Sequence, residues 1–173
     1  MKRYTPTYHA NNLFEVDPLF FIKINAKVLL LDLDNTLDSY KTKLPSERTI
    51  NYIKQLKALN LRPIITSNNR SKRVKNYARA LEIECLSSVA KPFKHFLLKK
   101  LNKLNIDLKE CILIGDQLMT DIACGNALKI KTLLLEKLVK EDQFTTHFNR
   151  IFDKPLRARL KKCGKLNNWK EVL

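Results

Sequence analysis

Short apolar runs alternate along this chain with longer segments of helical period. Val28-Leu29-Leu30-Leu31 and Cys111-Ile112-Leu113-Ile114 are unbroken apolar stretches, and Ile64-Ile65 and Leu133-Leu134-Leu135 sit in similar ones. Runs of this length bounded by turn residues predict buried strands. Five are predicted: residues 27–33, 62–66, 83–89, 111–114 and 130–135. Pro63 puts the start of the second strand there, or where one amide can be spared. Between the strands, Ser46 to Asn60 carries Ile50, Ile53, Leu56 and Leu59 at helical spacing. Helices are also predicted over 70–81, 93–104 and 118–128. Strand and helix alternate five times, which predicts an α/β fold: a five-stranded parallel sheet sandwiched by helices and joined by right-handed crossovers.

The flanks read differently. Residues 1–12 are polar and aperiodic and read as an arm. Asp17-Pro18 reads as an N-cap followed by proline in the first helical position. Leu19 to Ile24 then form a short apolar helix, which packs on the sheet or inserts Phe20 and Phe21 at a membrane interface. Residues 38–45 read as a loop or small flap. Residues 145–162 predict one or two basic helices with Pro155 as a break, and 163–173 a loosely ordered tail. The expected division is therefore an N-terminal arm and short helix (1–26), a core (27–136) and a basic C-terminal helical extension packing on that core (137–173).

Composition narrows the class. At 173 residues, 45% of them hydrophobic, the chain suits one domain with a sizeable core. No run reaches the ~18 apolar residues of a membrane span. The basic N-terminus lacks an apolar segment with a small-residue cleavage site, so the expected location is cytoplasmic, or peripheral to the membrane. Cys85, Cys111, Cys124 and Cys163 show no CxxC spacing, which leaves a zinc site unsupported. Cys111 and Cys124 fall in apolar patterns and read as small buried hydrophobes. The net charge is +16. Residues 70–103 hold ten Lys/Arg against two Glu, and 129–173 hold twelve against five acids. Such a field attracts polyanions: nucleic acid, ribosome, anionic membrane or a phosphorylated substrate. The alternative is a Lys-rich, merely solvated surface.

The polar residues that interrupt the pattern fall at carboxyl ends of predicted strands: Asp32 and Asp34, Ser67 and Asn68, Lys91, and Asp116 with Asp121. Ligands of open parallel sheets bind at that edge, where strand order reverses. Taken alone, Asp32-Leu33-Asp34-Asn35 could be only an Asx-type turn. Scattered turns have no reason to gather acids, a hydroxyl and a lysine at one edge. Carboxylates sharing a site need a cation, because like charges raise one another's pKa. Mg²⁺ suits oxygen ligands and leaves room for a phosphate. Cation, lysine and hydroxyl together are apparatus for phosphoryl transfer, and an aspartate can itself attack phosphorus.

Those residues resemble the haloacid-dehalogenase (HAD) superfamily of phosphatases across residues 27–136. DxDxT stands as Asp32-Leu33-Asp34-Asn35-Thr36, the hydroxyl motif as Ile64-Ile65-Thr66-Ser67-Asn68, the lysine motif as Ala90-Lys91-Pro92, and the acidic motif as Gly115-Asp116 through Asp121. More narrowly, the chain resembles the YqeG-like proteins of subfamily IIIA, relatives of phosphatidylglycerophosphate phosphatases. The resemblance implies a HAD-like Rossmannoid fold and Mg²⁺. It implies that Asp32 is nucleophile and metal ligand. Asp34 would bind metal through its carbonyl and act as acid and base through its side chain. Ser67 and Lys91 would hold the phosphoryl group and serve catalysis, with Asn68 a substrate contact. Asp116 would complete the metal site, and Asp121 would ligate or orient it, or merely support the helix start.

Only 30 residues separate Thr36 from Ser67, and only 23 separate Ser67 from Lys91. Neither gap holds a large cap domain, so an open site is expected. That suits a phosphate on something large, an anionic lipid head group or a macromolecule, and the basic helix from Arg70 would steer it. The competing reading is a non-catalytic module binding RNA, ribosome or a GTPase.

Overall fold

The computed structural model of the chain describes residues 2–138 and 144–172, and the side chains of all of these except 144–152. In chain order the elements are β1 (Tyr8–Ala10), α1 (Pro18–Lys23), β2 (Val28–Leu31), α2 (Glu47–Ala58), β3 (Arg62–Ser67), α3 (Lys72–Ala80), β4 (Glu84–Ser87), α4 (Lys94–Lys103), β5 (Cys111–Gly115), α5 (Ala123–Leu128), β6 (Lys131–Leu135) and α6 (Phe144–Lys162). The strands form one parallel sheet in the order β1-β6-β5-β2-β3-β4. From β2 the chain first winds outward through β3 and β4. It then returns to the other side of β2 as β5 and continues to β6. Strand order therefore reverses between β2 and β5, and the carboxyl ends of those two strands flank the crevice.

All four residues of β2 and all five of β5 are buried. Alternation assigns them to two faces. Leu29 and Leu31 join Ile65, Ile112 and Ile114 in a cluster with Phe20, Phe21, Ile53, Leu56, Val74 and Tyr77, which covers one face with α1, α2 and α3. Val28 and Leu30 join Ile64, Cys111 and Leu113 in a second cluster with Leu97, Leu101, Cys124 and Leu128 of α4 and α5. Each fully buried Leu or Ile contributes about 1.5–3 kcal/mol relative to exposure. A central strand covered on both faces is the most firmly held part of the molecule, and the site hangs from its end. Among the described residues no separate cap domain stands over that end.

The sheet has six strands, not five. The five expected strands are all present, and the sixth, β1, comes from residues read as an arm. Tyr8, His9 and Ala10 pair with Leu133, Leu134 and Leu135. A three-residue edge strand is too short to show a period; it is held by its partner, not by its own pattern. Asp17 caps α1 as expected, accepting from the Leu19 N–H at 2.9 Å, with Pro18 at the first helical position. Phe20 and Phe21 are fully buried, so the membrane-insertion alternative is ruled out for them.

Two expectations for the C-terminal region are corrected. Pro155 does not break the helix: α6 runs through it. A proline inside a helix costs about 3 kcal/mol, and here contacts of Asp153, Arg157 and Leu160 with the core offset that cost. The segment after α6 is not loose. Asn168 bridges to His9, and Trp169 is buried with its ring 5.7 Å from that of Phe20. The residues 139–143 of the predicted extension lie outside the described residues.

Candidate active site

The backbone leaves the sheet abruptly after β2. The Asp32 N–H still donates to the Ile114 carbonyl at 2.9 Å, the last ladder bond. Asn35 then adopts a left-handed conformation (φ 64°), which Asn tolerates better than most residues. Its N–H donates to the Asp38 carbonyl at 2.8 Å, while the Leu37 N–H turns back to the Leu33 carbonyl at 3.1 Å. This turn buries Leu33 and Leu37 beneath the site and keeps both aspartates at its mouth. Asp38 anchors the turn from below. Its carboxylate accepts from the Ser46 N–H, the Thr49 hydroxyl and the Tyr77 hydroxyl.

Asp32, Asp116 and Asp121 form one cluster, with a carboxylate oxygen from each lying within 4.8 Å of the others. Asp116 leaves the end of β5. Asp121 sits in a π-helical turn, Leu118–Ile122, that precedes α5 where an ordinary helix start was predicted. Such widened turns are frequent at functional sites. Asp121 also accepts from the Gln117 N–H at 3.2 Å. The Asp34 carboxylate is not among the three. It pairs with Arg73 of α3, whose guanidinium also donates to the Thr42 carbonyl at 3.0 Å. Arg73 is therefore committed to the site and to the 38–45 loop, whereas its neighbours Lys72, Lys75 and Arg79 on α3 are exposed.

Lys91 reaches the cluster from beyond β4. Its Nζ donates to Asp32 at 2.7 Å and to the Thr66 carbonyl at 3.0 Å, and forms an ion pair with Asp121 at 2.7 Å. The backbone of Lys91 is pinned by Asn68, whose side-chain amide donates to the Lys91 carbonyl (2.9 Å) and accepts from its N–H (2.7 Å). Both ends of the Asn68 amide thus serve to place the lysine. Ser67 is buried, and its hydroxyl accepts from the Asn69 N–H at 3.1 Å. Thr66, one residue earlier and hence on the other side of the strand, turns its hydroxyl to the Leu31 carbonyl.

Burial by itself pushes the Lys91 ammonium toward neutrality, but Asp121 and Asp32 outweigh it and the net shift is upward. Asp32 is driven well above the usual carboxylate range, first by burial; Lys91 opposes this, while Asp121 and Asp116 add to it. Three carboxylates share this site with the Lys91 ammonium, and Asp116 and Asp121 are fully enclosed in it. An all-oxygen donor set of this kind suits a hard divalent cation.

Sequence reasoning missed Asp153 and Arg157 of α6. The Leu118 and Met119 N–H groups donate to Asp153, and Arg157 donates to the carbonyl of Asp116. No motif marks these two, because they act on backbone from a distant helix.

A family model described as haloacid dehalogenase-like hydrolase matches residues 29–90, and a second, described as HAD-hydrolase-like, matches 88–147. The probable phosphatase YqeG of Bacillus subtilis is 29% identical over 170 residues, covering 98% of each chain. The 3-deoxy-D-manno-octulosonate 8-phosphate phosphatase of Yersinia pestis superposes with a TM-score of 0.53 at 17% identity, over 69% of this chain and 68% of that one. The cobalt-bound deoxy-D-mannose-octulosonate 8-phosphate phosphatase of Haemophilus influenzae gives 0.50 at 15% identity, over 66% and 81%. At those identities the two structures share the fold.

Proposed function

Since this chain belongs to the haloacid-dehalogenase-like hydrolases and is a phosphatase, we propose that it cleaves phosphomonoesters through an aspartyl-phosphate on Asp32, with Mg²⁺ as its cation. The observation that carries this reading is the convergence of Asp32, Asp116 and Asp121 around Lys91 at the crevice beside β2.

In the first step an Asp32 oxygen attacks phosphorus as the bond to the leaving oxygen breaks, and Asp34 gives that oxygen a proton. In the second, Asp34 takes a proton from water, the water oxygen attacks phosphorus, and the acyl-phosphate bond breaks. Inorganic phosphate leaves and Asp32 is restored. Lys91 neutralises Asp32 and the phosphoryl oxygens, and Ser67 donates its hydroxyl to the phosphate. Asn68 keeps Lys91 in place and flanks the substrate. Asp32, Asp116, Asp121 and the Asp34 carbonyl would hold the Mg²⁺, which supplies charge neutralisation when bound.

A large amphiphilic substrate, phosphatidylglycerophosphate foremost, fits the surroundings. No cap excludes it among the described residues. Leu44 of the 38–45 loop, and Phe93 and Phe96 just past Lys91, are all more than half exposed. Among the described residues no helix is long and apolar enough to cross a membrane.

The test is turnover by purified protein with Mg²⁺ on phosphatidylglycerophosphate vesicles, mononucleotides and sugar phosphates. Asp32→Asn is expected to lower turnover by more than about a thousandfold while leaving circular dichroism unchanged. Substantial activity in that variant removes Asp32 as nucleophile. A higher kcat/KM on a free sugar phosphate than on vesicles replaces the lipid assignment and leaves the chemistry standing.

A further inference from the structure

Two of the three clustered acids, Asp116 and Asp121, are carried by the least regular backbone around the site, the exit of β5 and the π-helical turn. The first N–H groups of such a turn have no partners within it, and Gln117 before it makes no side-chain cap bond. Two of those groups are satisfied from far along the chain. Leu118 and Met119 donate to the two carboxylate oxygens of Asp153 at 2.9 and 3.1 Å, and Asp153 is buried. One helical turn further along α6, Arg157 grips the other side of the same loop. Its Nη2 donates to the carbonyl of Asp116 and, at 3.0 Å, to that of Leu135, while Nη1 lies 3.1 Å from the Glu136 carboxylate.

Attachment of α6 does not need these charges. Leu160 already packs in an apolar cluster with Leu118, Ile122 and Leu134, and Leu156 packs against it. Burying a carboxylate and a guanidinium beside that cluster costs desolvation. What the charges add is direction: the bonds to Leu118, Met119 and the Asp116 carbonyl end on the backbone that aims Asp116 and Asp121, while those to Leu135 and Glu136 tie Arg157 to the end of β6.

We infer that Asp153 and Arg157 are positioning residues for the divalent cation, holding the loop of Asp116 and Asp121 so that its carboxylates converge on Asp32 before the cation arrives. The inference rests on the cation site proposed above. Removing groups that orient ligands in this way costs metal sites about 10–100-fold in affinity.

The experiment titrates the full chain with MgCl₂ by calorimetry, at a temperature where every variant keeps the wild-type circular dichroism. Asp153→Asn and Arg157→Met are expected to raise the Mg²⁺ Kd about tenfold or more. Arg157→Lys, which keeps the charge but loses the planar fork, falls between them and wild type, and it carries the test should the other two fail to fold. Leu156→Ala loosens the packing of α6 but leaves both tethers; it lowers the melting midpoint without moving the Kd. Should Asp153→Asn and Arg157→Met, or Arg157→Lys in their place, stay within twofold of wild type, α6 is only a brace and the inference is overturned. Wild-type protein that binds no Mg²⁺ overturns the cation reading itself, and this inference with it.

Discussion

A methyl carbon placed on Gly115 would lie 2.3 Å from Cγ of Asp121. The glycine that ends β5, next to Asp116, is therefore required by the side chain that closes over it, not by a turn. Asp121 cannot yield easily, because Lys91 and the Gln117 N–H hold its carboxylate. Gly115→Ala is expected to cost about 1–3 kcal/mol of stability through overpacking. It should also raise the cation concentration needed for half-maximal activity; unchanged values of both would mean the site is looser than these distances indicate. At this scale the sequence was legible wherever a residue's chemistry was exceptional for its place. Acids and a lysine at strand ends stood out against apolar runs. The choice of Ser67 over Thr66 became geometric only when alternation turned the Thr66 hydroxyl to the Leu31 carbonyl. The second role of Arg73 was hidden, since nothing in a basic helix tells which cation will meet Asp34 and Thr42.

Elements with a strong pattern formed where that pattern placed them, and elements made by their neighbours did not announce themselves. β2 and β5 are apolar throughout, and β3 is so at Ile64 and Ile65, because both faces of the sheet are covered. β1 exists because β6 offers it an edge, and three residues cannot show a period. The last turn, Trp169–Val172, is likewise held from outside. Its indole meets the Phe20 ring edge-on (73° between planes), and Phe20 in turn meets Tyr8 and Phe21. Both chain ends thus close over α1. Trp169→Ala is expected to destabilise the protein by about 3–5 kcal/mol, read from denaturant unfolding. At temperatures where the variant is folded, kcat should stay within about twofold of wild type, because Trp169 touches none of the site residues. A large fall in kcat without loss of stability would assign this segment to the site instead.

For the molecule as a whole, a net charge of +16 surrounds an acidic pit. A field of that sign attracts anions in general. Within the pit the neighbouring acids repel one another, so the site is organised at some cost to the stability of the cation-free fold. Asp32→Asn removes one of the three clustered carboxylates. It should raise the cation-free stability by about 1 kcal/mol while abolishing most of the gain that saturating Mg²⁺ gives wild type, about 2.7 kcal/mol at a hundredfold excess over Kd. Thermal melts with and without MgCl₂ measure both. A variant less stable than wild type without cation would show that the Lys91–Asp32 pair outweighs the repulsion.

The chain's pattern alone specified the alternation of strands and helices, the parallel sheet and the edge at which its chemistry gathers. These follow from local periodicity and from the rule that carboxyl ends of parallel strands share one side. It did not specify the sixth strand, the continuous α6, the π-helical turn, or the grip of Asp153 and Arg157 on the Asp116 loop. Each of those depends on a partner more than thirty residues away or on backbone that carries no side-chain signature. Local preference is written residue by residue, whereas the pairing of distant backbone is settled only when the layers close.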